Sequence, residues 1–355
     1  MLPMPGSDSA NLQPLDYQSP VAHARYAAKV RFAAAALAFC CLLWGLSFPV
    51  MQFASTAFQT AVRPDRSSPP LRLTLAMQAT FNGWRFALAA VLYYLLTRSR
   101  QRNYRPVDWH AGAAVGLFCG CGMFLQLTGL RYTLPSISGF LTALVVVFAP
   151  LAQSLIFRKP VTLRIWLAVV VAVAGILILA QANPDAHAQN TLALTPPLPY
   201  LGEILTVLSS MLFTAQIMAV DRFGSAADTA RMTAVMLAVV ALVNTTIALA
   251  LGGHQIYRAT ILFALLRDPV FIASILSLIV FCTVTAMHLM NTYQPAVSAA
   301  VASVIYCLEP VFATLWSTAF RTESLTRITI AGGVVILLAV LIVAQTPSRK
   351  SLAPQ

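Results

Sequence analysis

The segment AVSAAVASVIYCLEPVFATLWSTAF, residues 296–320, is a long apolar run that contains one acid, Glu309, followed by Pro310. A helix that crosses a bilayer needs about 20 mostly apolar residues, because the hydrocarbon core is about 30 Å thick. Its backbone polar groups must be satisfied within the helix, since lipid offers them no partners. The segment therefore predicts a membrane-spanning helix with a carboxyl group about halfway along it.

Similar runs recur along the whole chain. Of its 355 residues, 59% are hydrophobic and 10% are charged, and the mean hydropathy is +0.77. Soluble domains carry roughly a quarter charged residues, so this composition excludes that class. The predicted fold is an all-α integral membrane protein with ten transmembrane helices. We place the spans near residues 32–54, 80–97, 110–130, 135–157, 164–181, 200–220, 232–252, 269–291, 296–320 and 327–346.

Two connections between predicted spans are very short, and one loop is long. The stretches RYTLP (131–135) and NTYQP (291–295) each end in proline and allow only very tight turns. The loop at 58–79 is long and is predicted to end in an external amphipathic helix. No cleaved signal peptide is expected in the polar first thirty residues.

The basic residues predict the orientation, because cytoplasmic loops carry an excess of Lys and Arg. With the N-terminus inside, both termini are cytoplasmic and the membrane is the plasma (inner) membrane. The net charge of +12 then reflects topology beside anionic lipid. A nucleic-acid partner would need a solvated basic domain, and we expect none. The inside segments hold 14 of the 23 basic residues: Arg25, Lys29, Arg31, Arg98, Arg100, Arg102, Arg105, Arg158, Lys159, Arg164, Arg222, Arg231, Arg349 and Lys350.

The two halves of the chain resemble each other. Pro135 corresponds to Pro295 and Pro150 to Pro310, both at a separation of 160 residues. Each half has five predicted spans, and an odd number inverts the second half in the membrane. Inverted repeats generally place a substrate site near the midplane between the halves. We divide the chain into a tail (1–30), a first repeat (31–181), an external linker (182–199), a second repeat (200–346) and a second tail (347–355).

Five stretches carry a family resemblance. They are LLWGLSFPV (42–50), RFALAAVLYYLL (85–96), LGEILTVLSSMLFTAQ (201–216), LEPVFATLWSTAFRTESLT (308–326) and IAGGVVIL (330–337). In this order and spacing they resemble the ten-helix EamA-type exporters of the drug/metabolite transporter superfamily. The resemblance covers about residues 35–345. It implies a membrane transporter that carries a small-molecule substrate.

Glu309 and Arg85 are the two charges predicted within spans. An ionised acid at the centre of a span costs about 2.5–3.5 kcal/mol on insertion scales, so Glu309 must be protonated, paired or facing water. It either binds protons or a substrate amine in a central cavity, or it ties span nine to a neighbour as a neutral group. Arg85 either snorkels to the outer interface or supplies a cation to the cavity. Pro150 and Pro310 are predicted hinges, because each removes a helical hydrogen bond.

Other predicted site residues are aromatic or small. The aromatic residues either line a cavity for amphipathic solutes or pack against lipid and helices. They are Trp44, Phe48, Tyr293, Tyr306 and Trp316. Gly112, Gly116 and Gly120 form a ridge on span three that allows close helix packing. No cluster among the six cysteines suggests a disulfide or a metal site, and no phosphate loop or haem motif appears, so we expect no cofactor.

These observations predict a secondary active transporter and not an enzyme. We expect export of small metabolites, amino-acid-like or amphipathic, by alternating access, with protons as a candidate coupling ion. The protein would be a monomer or a homodimer in the bilayer. One alternative is a facilitative uptake carrier. Another is an intramembrane serine protease built on Ser138 and His288, although its motif is incomplete.

Overall fold

The computed structural model describes residues 20–62, 70–133, 135–181, 199–321 and 325–344. Nearly all of these residues are helical, and no strand occurs among them. The predicted tail 347–355, residues 1–19 of the other tail and residues 182–198 of the predicted linker lie outside the described residues. Residues 20–30 were predicted as tail, but they are helical because the first helix already begins at Pro20.

In the first half, the first two helices extend beyond the predicted spans and the later ones follow them closely. They are α1 (Pro20–Val62), α2 (Leu71–Leu96), α3 (Pro106–Gly129), α4 (Pro135–Thr142), α5 (Val145–Leu151) and α6 (Leu163–Ala180). A π-helical turn, Ala152–Ile156, continues α5. The helices α4 and α5 together occupy the fourth predicted span, which is therefore broken at residues 143–144.

The second half has the same pattern, with one additional short helix and with its eighth predicted span divided into two helices. Its helices are α7 (Leu201–Phe223), α8 (Thr229–Ala250), α9 (Ala259–Arg267), α10 (Pro269–Ser277), α11 (Ala286–Tyr293), α12 (Ala299–Tyr306), α13 (Leu308–Ala319) and α14 (Arg327–Ala344). A π-helical turn, Leu278–Thr285, joins α10 to α11. The ninth predicted span is broken at Cys307, between α12 and α13.

Capping residues explain where several helices begin. Pro106, Pro135 and Pro269 each occupy a first helical position, where a missing N–H is harmless. The carboxylates of Asp228 and Asp268 accept hydrogen bonds from the N–H groups two and three residues later. Residues next to these helix starts therefore determine where the helices begin.

The chain is a multi-pass membrane protein. Within the described ranges, seven helical runs are long and apolar enough to span a bilayer: Ala27–Val62, Pro106–Gly129, Ser138–Ile156, Leu201–Phe223, Thr229–Ala250, Pro269–Ala296 and Ala299–Ala319. Two further apolar helices, Leu163–Leu179 and Arg327–Val343, are shorter. The helix α2 is not among the seven. The predicted count of ten spans therefore stays a prediction.

The prediction of a long loop at residues 58–79 that ends in an amphipathic helix was wrong. The helix α1 continues to Val62 and α2 begins at Leu71, so residues 71–79 are the first turns of α2 and no separate amphipathic helix exists there. An amphipathic helix, α9, instead lies between α8 and α10. The tight turns at 131–135 and 291–295 do separate helices, since α3 ends at Gly129 and α11 ends at Tyr293.

The glycine ridge of α3 packs against α8. A Cβ on Gly112 would lie 2.7 Å from the carbonyl oxygen of Met232, and one on Gly116 would lie 2.7 Å from that of Met236. Gly120 is less crowded, because its nearest neighbour would be the Cα of Val240 at 3.3 Å. The first two glycines are therefore required for this close backbone approach.

The connection between α2 and α3, residues 97–105, carries four arginines, and we call the end of the bundle where it lies the basic end. Asp108, fully buried, joins two segments there. Its carboxylate accepts hydrogen bonds from the backbone N–H groups of Arg105 (2.9 Å) and Asp228 (2.8 Å). It also pairs with the Arg231 guanidinium at 3.2 Å. The Asp108 side chain therefore links the starts of α3 and α8, and the side chains of Arg105 and Arg231 add bonds to the carbonyl oxygens of Ala226 and Asn103.

Gly332 allows α14 to pack directly on α6, and its replacement by alanine should destabilise the protein. The new Cβ would lie 2.8 Å from the backbone nitrogen of Leu179 and 2.9 Å from the carbonyl oxygen of Gly175. Because two helix backbones would have to separate, we expect Gly332→Ala to lower the free energy of unfolding by about 1–3 kcal/mol. Unfolding by SDS titration of the detergent-solubilised protein measures this change.

Gly333 provides the matched control. A Cβ there would meet only the Cγ1 of Val311, at 3.3 Å. Alanine also favours a helix over glycine by about 1 kcal/mol. Gly333→Ala should therefore leave the unfolding midpoint unchanged or raise it, and an equal loss in both variants would contradict the packing argument.

Candidate functional site

A cavity of about 160 Å³ lies between the two halves of the bundle. Helices α1, α3, α4, α7 and α13 contribute most of its walls. A cavity of about this size in another protein admits a benzene-sized molecule, so this one has room for a small organic solute. Most of its lining is apolar. Its polar side chains are Ser47, Arg85, Gln126, Thr142, Gln216, Ser303, Tyr306, Glu309, Thr314 and Ser317.

Glu309 faces this cavity from the first turn of α13. The helix is interrupted just before it, at Cys307, because Pro310 has no N–H to donate to the carbonyl group of Tyr306. The Glu309 side chain is half-buried and is the only acid among the described lining residues. Across the described ranges, no group donates a hydrogen bond to its carboxylate and no cation lies within ion-pair distance of it. Its charge is therefore open to a ligand or a proton.

Arg85 faces the same cavity from the middle of α2. Its side chain is 1% exposed. Arg85 therefore does not reach the outer interface, and the prediction that it snorkels there was wrong. The reason is that α2 begins at Leu71, which places Arg85 about 21 Å along the helix axis instead of near its end. The Arg85 Nε donates a hydrogen bond to Thr283 Oγ1 at 2.8 Å, and Nη1 lies 3.6 Å from Met51 Sδ.

Arg85 and Glu309 line one cavity but do not form an ion pair with each other. No carboxylate of the described chain lies within 4.0 Å of the Arg85 guanidinium. Its other close neighbour is the ring of Phe86, 5.3 Å from Cζ. The cavity thus presents a basic and an acidic side chain, neither of which has an ion-pair partner among the described residues.

Three of the five predicted aromatic residues line the cavity, namely Trp44, Phe48 and Tyr306. The rings of Trp44 and Tyr306 lie 5.5 Å apart, and Phe48 follows Trp44 by one turn. The Tyr306 hydroxyl donates to Gln294 Oε1 at 2.9 Å. The other two do not line the cavity. The ring of Tyr293 packs against Phe32 on α1, and Trp316 Nε1 donates a hydrogen bond to the carbonyl oxygen of Leu42 at 3.0 Å.

The two predicted hinge prolines lie in comparable places. Pro310 lines the cavity three residues after the break at Cys307. Pro150 is buried within α5, six residues after the break at 143–144, and does not line the cavity. Whether either residue acts as a hinge stays a prediction.

The cavity is closed at the basic end. Gln294 Nε2 donates to the carbonyl oxygen of Ile217 at 2.8 Å, and Gln153 Oε1 accepts from the N–H of Ala300 at 3.2 Å. Beyond these bonds, Lys159 and Asp221 form an ion pair at 3.2 Å. Toward the opposite end the lining continues to Leu179 and Ser317, close to the ends of α6 and α13. The cavity therefore extends away from the basic end.

The residues proposed for a protease do not meet. Ser138 is fully buried, and its hydroxyl has no partner among the described residues. The Nδ1 atom of His288 is hydrogen-bonded to the Tyr93 hydroxyl at 2.8 Å instead. Without a base beside the serine, this pair offers no nucleophile.

Several lining residues were missed by the sequence reasoning. Gln126 donates to Thr142 Oγ1 at 3.0 Å, across α3 and α4. Gln216 lies beside Met290, with its Nε2 3.5 Å from the sulfur. Both are polar residues in the middle of predicted spans, which is the signal that could have found them. Thr283 does not line the cavity but accepts a hydrogen bond from Arg85, and nothing in the sequence indicated this contact.

Comparisons with known proteins agree with this architecture. Residues 71–181 and 200–345 match the EamA-like transporter family. The chain is similar to an uncharacterized transporter from Archaeoglobus fulgidus, with 25% identity over 308 residues, which are 87% of this chain and 84% of that protein. A crystal structure with 16% sequence identity aligns over 90% of this chain and 99% of its own, with a TM-score of 0.56, and this likeness concerns the fold alone.

Proposed function

We propose, since the chain belongs to the EamA-like transporter family, that it is a secondary active transporter that exports a small amino-acid-like or amphipathic metabolite. The observation that carries this proposal is the pair of charges in the cavity, Glu309 and Arg85, neither of which has an ion-pair partner within the described structure. A charge inside a membrane protein is unfavourable unless it is compensated. A solute with both an amino and a carboxyl group would compensate both at once.

The proposed architecture is ten spans in two inverted five-helix repeats. The helix packing supports it. Two contacts join the halves: α1 of the first half packs on α13 of the second, and α7 of the second half packs on α4 and α5 of the first. In the repeat, α1 corresponds to α7, and α12 with α13 corresponds to α4 with α5. The two contacts are therefore equivalent. The helices α2 and α8 correspond to each other and pack closely. The same is true of α6 and α14.

The proposed mechanism is alternating access. The cavity extends toward one end, and hydrogen bonds of Gln153 and Gln294 close the other, which fits one of the two states that such a cycle requires. The arginine-rich basic end would be cytoplasmic and the membrane would be the plasma (inner) membrane, with both termini inside. Glu309 would carry the proton if transport is proton-coupled.

Facilitative uptake is the second candidate. A cavity that extends away from the basic end would also admit a solute from outside. The direction of net transport distinguishes the two, since a facilitative carrier only equilibrates its substrate.

Untargeted mass spectrometry of the growth medium tests the export proposal. Cells expressing the wild type, Glu309→Gln or an empty vector are compared at matched membrane levels of the two proteins. We expect at least one metabolite to be enriched in the medium of the wild type alone. Equal enrichment by both proteins would leave export standing and remove Glu309 from it. Enrichment by neither would contradict export, and uptake would then be measured.

A further inference from the structure

Arg85 is oriented by a neighbouring helix through one hydroxyl group. Its Nε donates to Thr283 Oγ1 at 2.8 Å, and the side chains of both residues are almost fully buried. The Thr283 hydroxyl in turn donates its own hydrogen to the carbonyl oxygen of Leu278, also at 2.8 Å. Because this proton is committed to Leu278, the hydroxyl oxygen meets Arg85 as an acceptor.

The second of these bonds depends on the local helix geometry. A threonine hydroxyl in an α-helix normally bonds the carbonyl three or four residues earlier. Leu278 is five residues before Thr283, and the segment Leu278–Thr285 is π-helical. Such π turns inside α-helices are frequent at functional sites. The wider turn therefore sets both the position and the donor direction of the Thr283 hydroxyl.

The same π turn contains a second threonine that lacks the contact with Arg85. The Thr285 hydroxyl donates to the carbonyl oxygen of Val280 at 2.8 Å, again five residues earlier. Its side chain lies on the exposed side of the turn. Thr283 and Thr285 thus make the same local bond, and only Thr283 receives a hydrogen bond from across the helix interface.

We propose that Thr283 is a positioning residue for Arg85: the π turn places its hydroxyl so that Nε is held and the two terminal nitrogens of the guanidinium face the cavity. This inference rests on the proposed function, in which Arg85 binds the anionic group of the substrate. A planar guanidinium binds a carboxylate best through two parallel N–H donors, so its orientation determines how well it binds. Met51 sulfur, at 3.6 Å from Nη1, is a weak competitor for one of these donors.

Three variants test the proposal, each in purified protein reconstituted in nanodiscs. Thr283→Val keeps the shape and removes the hydroxyl. Thr283→Ser restores the hydroxyl with one methyl group fewer. Thr285→Val removes the matched hydroxyl that does not contact Arg85. The probes are L-leucine, its deaminated analogue 4-methylpentanoate and its decarboxylated analogue 3-methylbutylamine.

Two measurements are made. In protein labelled with ¹⁵N in the arginine side chains, the Nε–H resonance of Arg85 is assigned by its loss in Arg85→Lys. We expect this resonance to disappear or shift in Thr283→Val and to persist in Thr283→Ser and Thr285→Val. We also expect Thr283→Val to bind leucine and the acid about tenfold more weakly, because a hydrogen bond to a charged group is lost, and to bind the amine unchanged.

The outcomes separate this inference from the proposed function. An unaltered Arg85 resonance in Thr283→Val, or an equal loss of affinity for all three probes, would overturn the positioning role. If the wild type binds none of the probes, the amino-acid-like substrate class fails. The resonance comparison then still decides whether Thr283 holds Arg85.

Discussion

Glu309→Gln is expected to abolish the dependence of transport on a pH gradient. Glu309 is the only acid among the described cavity-lining residues, and glutamine has nearly the same shape but cannot release a proton. The measurement is export of the compound identified by mass spectrometry, assayed in proteoliposomes with and without an imposed pH gradient. In the variant, the rate with the gradient should fall to the rate without it.

Glu203→Gln is the matched control for this experiment. Glu203 lies in the first turn of α7, far from the cavity lining, and accepts a hydrogen bond from Thr133 Oγ1 at 2.8 Å. Its loss should leave the response to the gradient intact. Persistent pH coupling in Glu309→Gln would remove Glu309 from the mechanism, and loss of coupling in both variants would point to a general effect of removing acids.

Asp108→Ala should cause a large loss of stability. The buried carboxylate serves the backbone N–H groups of Arg105 and Asp228 and the guanidinium of Arg231. Removal of one partner from a buried, hydrogen-bonded charge network typically lowers the free energy of unfolding by about 3–5 kcal/mol, because the remaining groups stay desolvated without partners. The midpoint of SDS-induced unfolding in mild detergent measures the change.

Asp268→Ala controls for the simple loss of a helix cap. The Asp268 carboxylate accepts from the N–H groups of Val270 and Phe271 at the exposed start of α10, and its bonds are local. A lost N-cap of this kind usually lowers stability by about 1 kcal/mol. If both variants lose the same amount, Asp108 acts only as a cap and not as a link between α3 and α8.

The helices themselves were largely predictable from the sequence. The described helix ends fall within a few residues of most predicted ones, because apolar runs and the prolines between them act locally. The first two spans are the exceptions. The polar residues at both ends of α1 and at the start of α2 were predicted as tail and loop. In the structure they belong to the two helices.

The candidate site was predictable only in part. Glu309 and Trp44 could be singled out because an acid in an apolar run and an aromatic residue in a family motif are visible in one dimension. The environment of Arg85 could not be foreseen, since it depends on where α2 begins and on a hydroxyl almost 200 positions away, at Thr283. Tyr293 was predicted in the site on residue type alone, and its ring instead faces α1.

The sequence by itself therefore determined that this protein is helical, resides in a membrane and repeats itself, because hydropathy and proline act over a single turn or span. Only the tertiary structure decided which polar groups share the cavity and which are tied up elsewhere. Those contacts join residues far apart in the chain, such as Arg85 with Thr283 and Asp108 with Asp228. Their geometry depends on how whole helices pack, which no local pattern encodes.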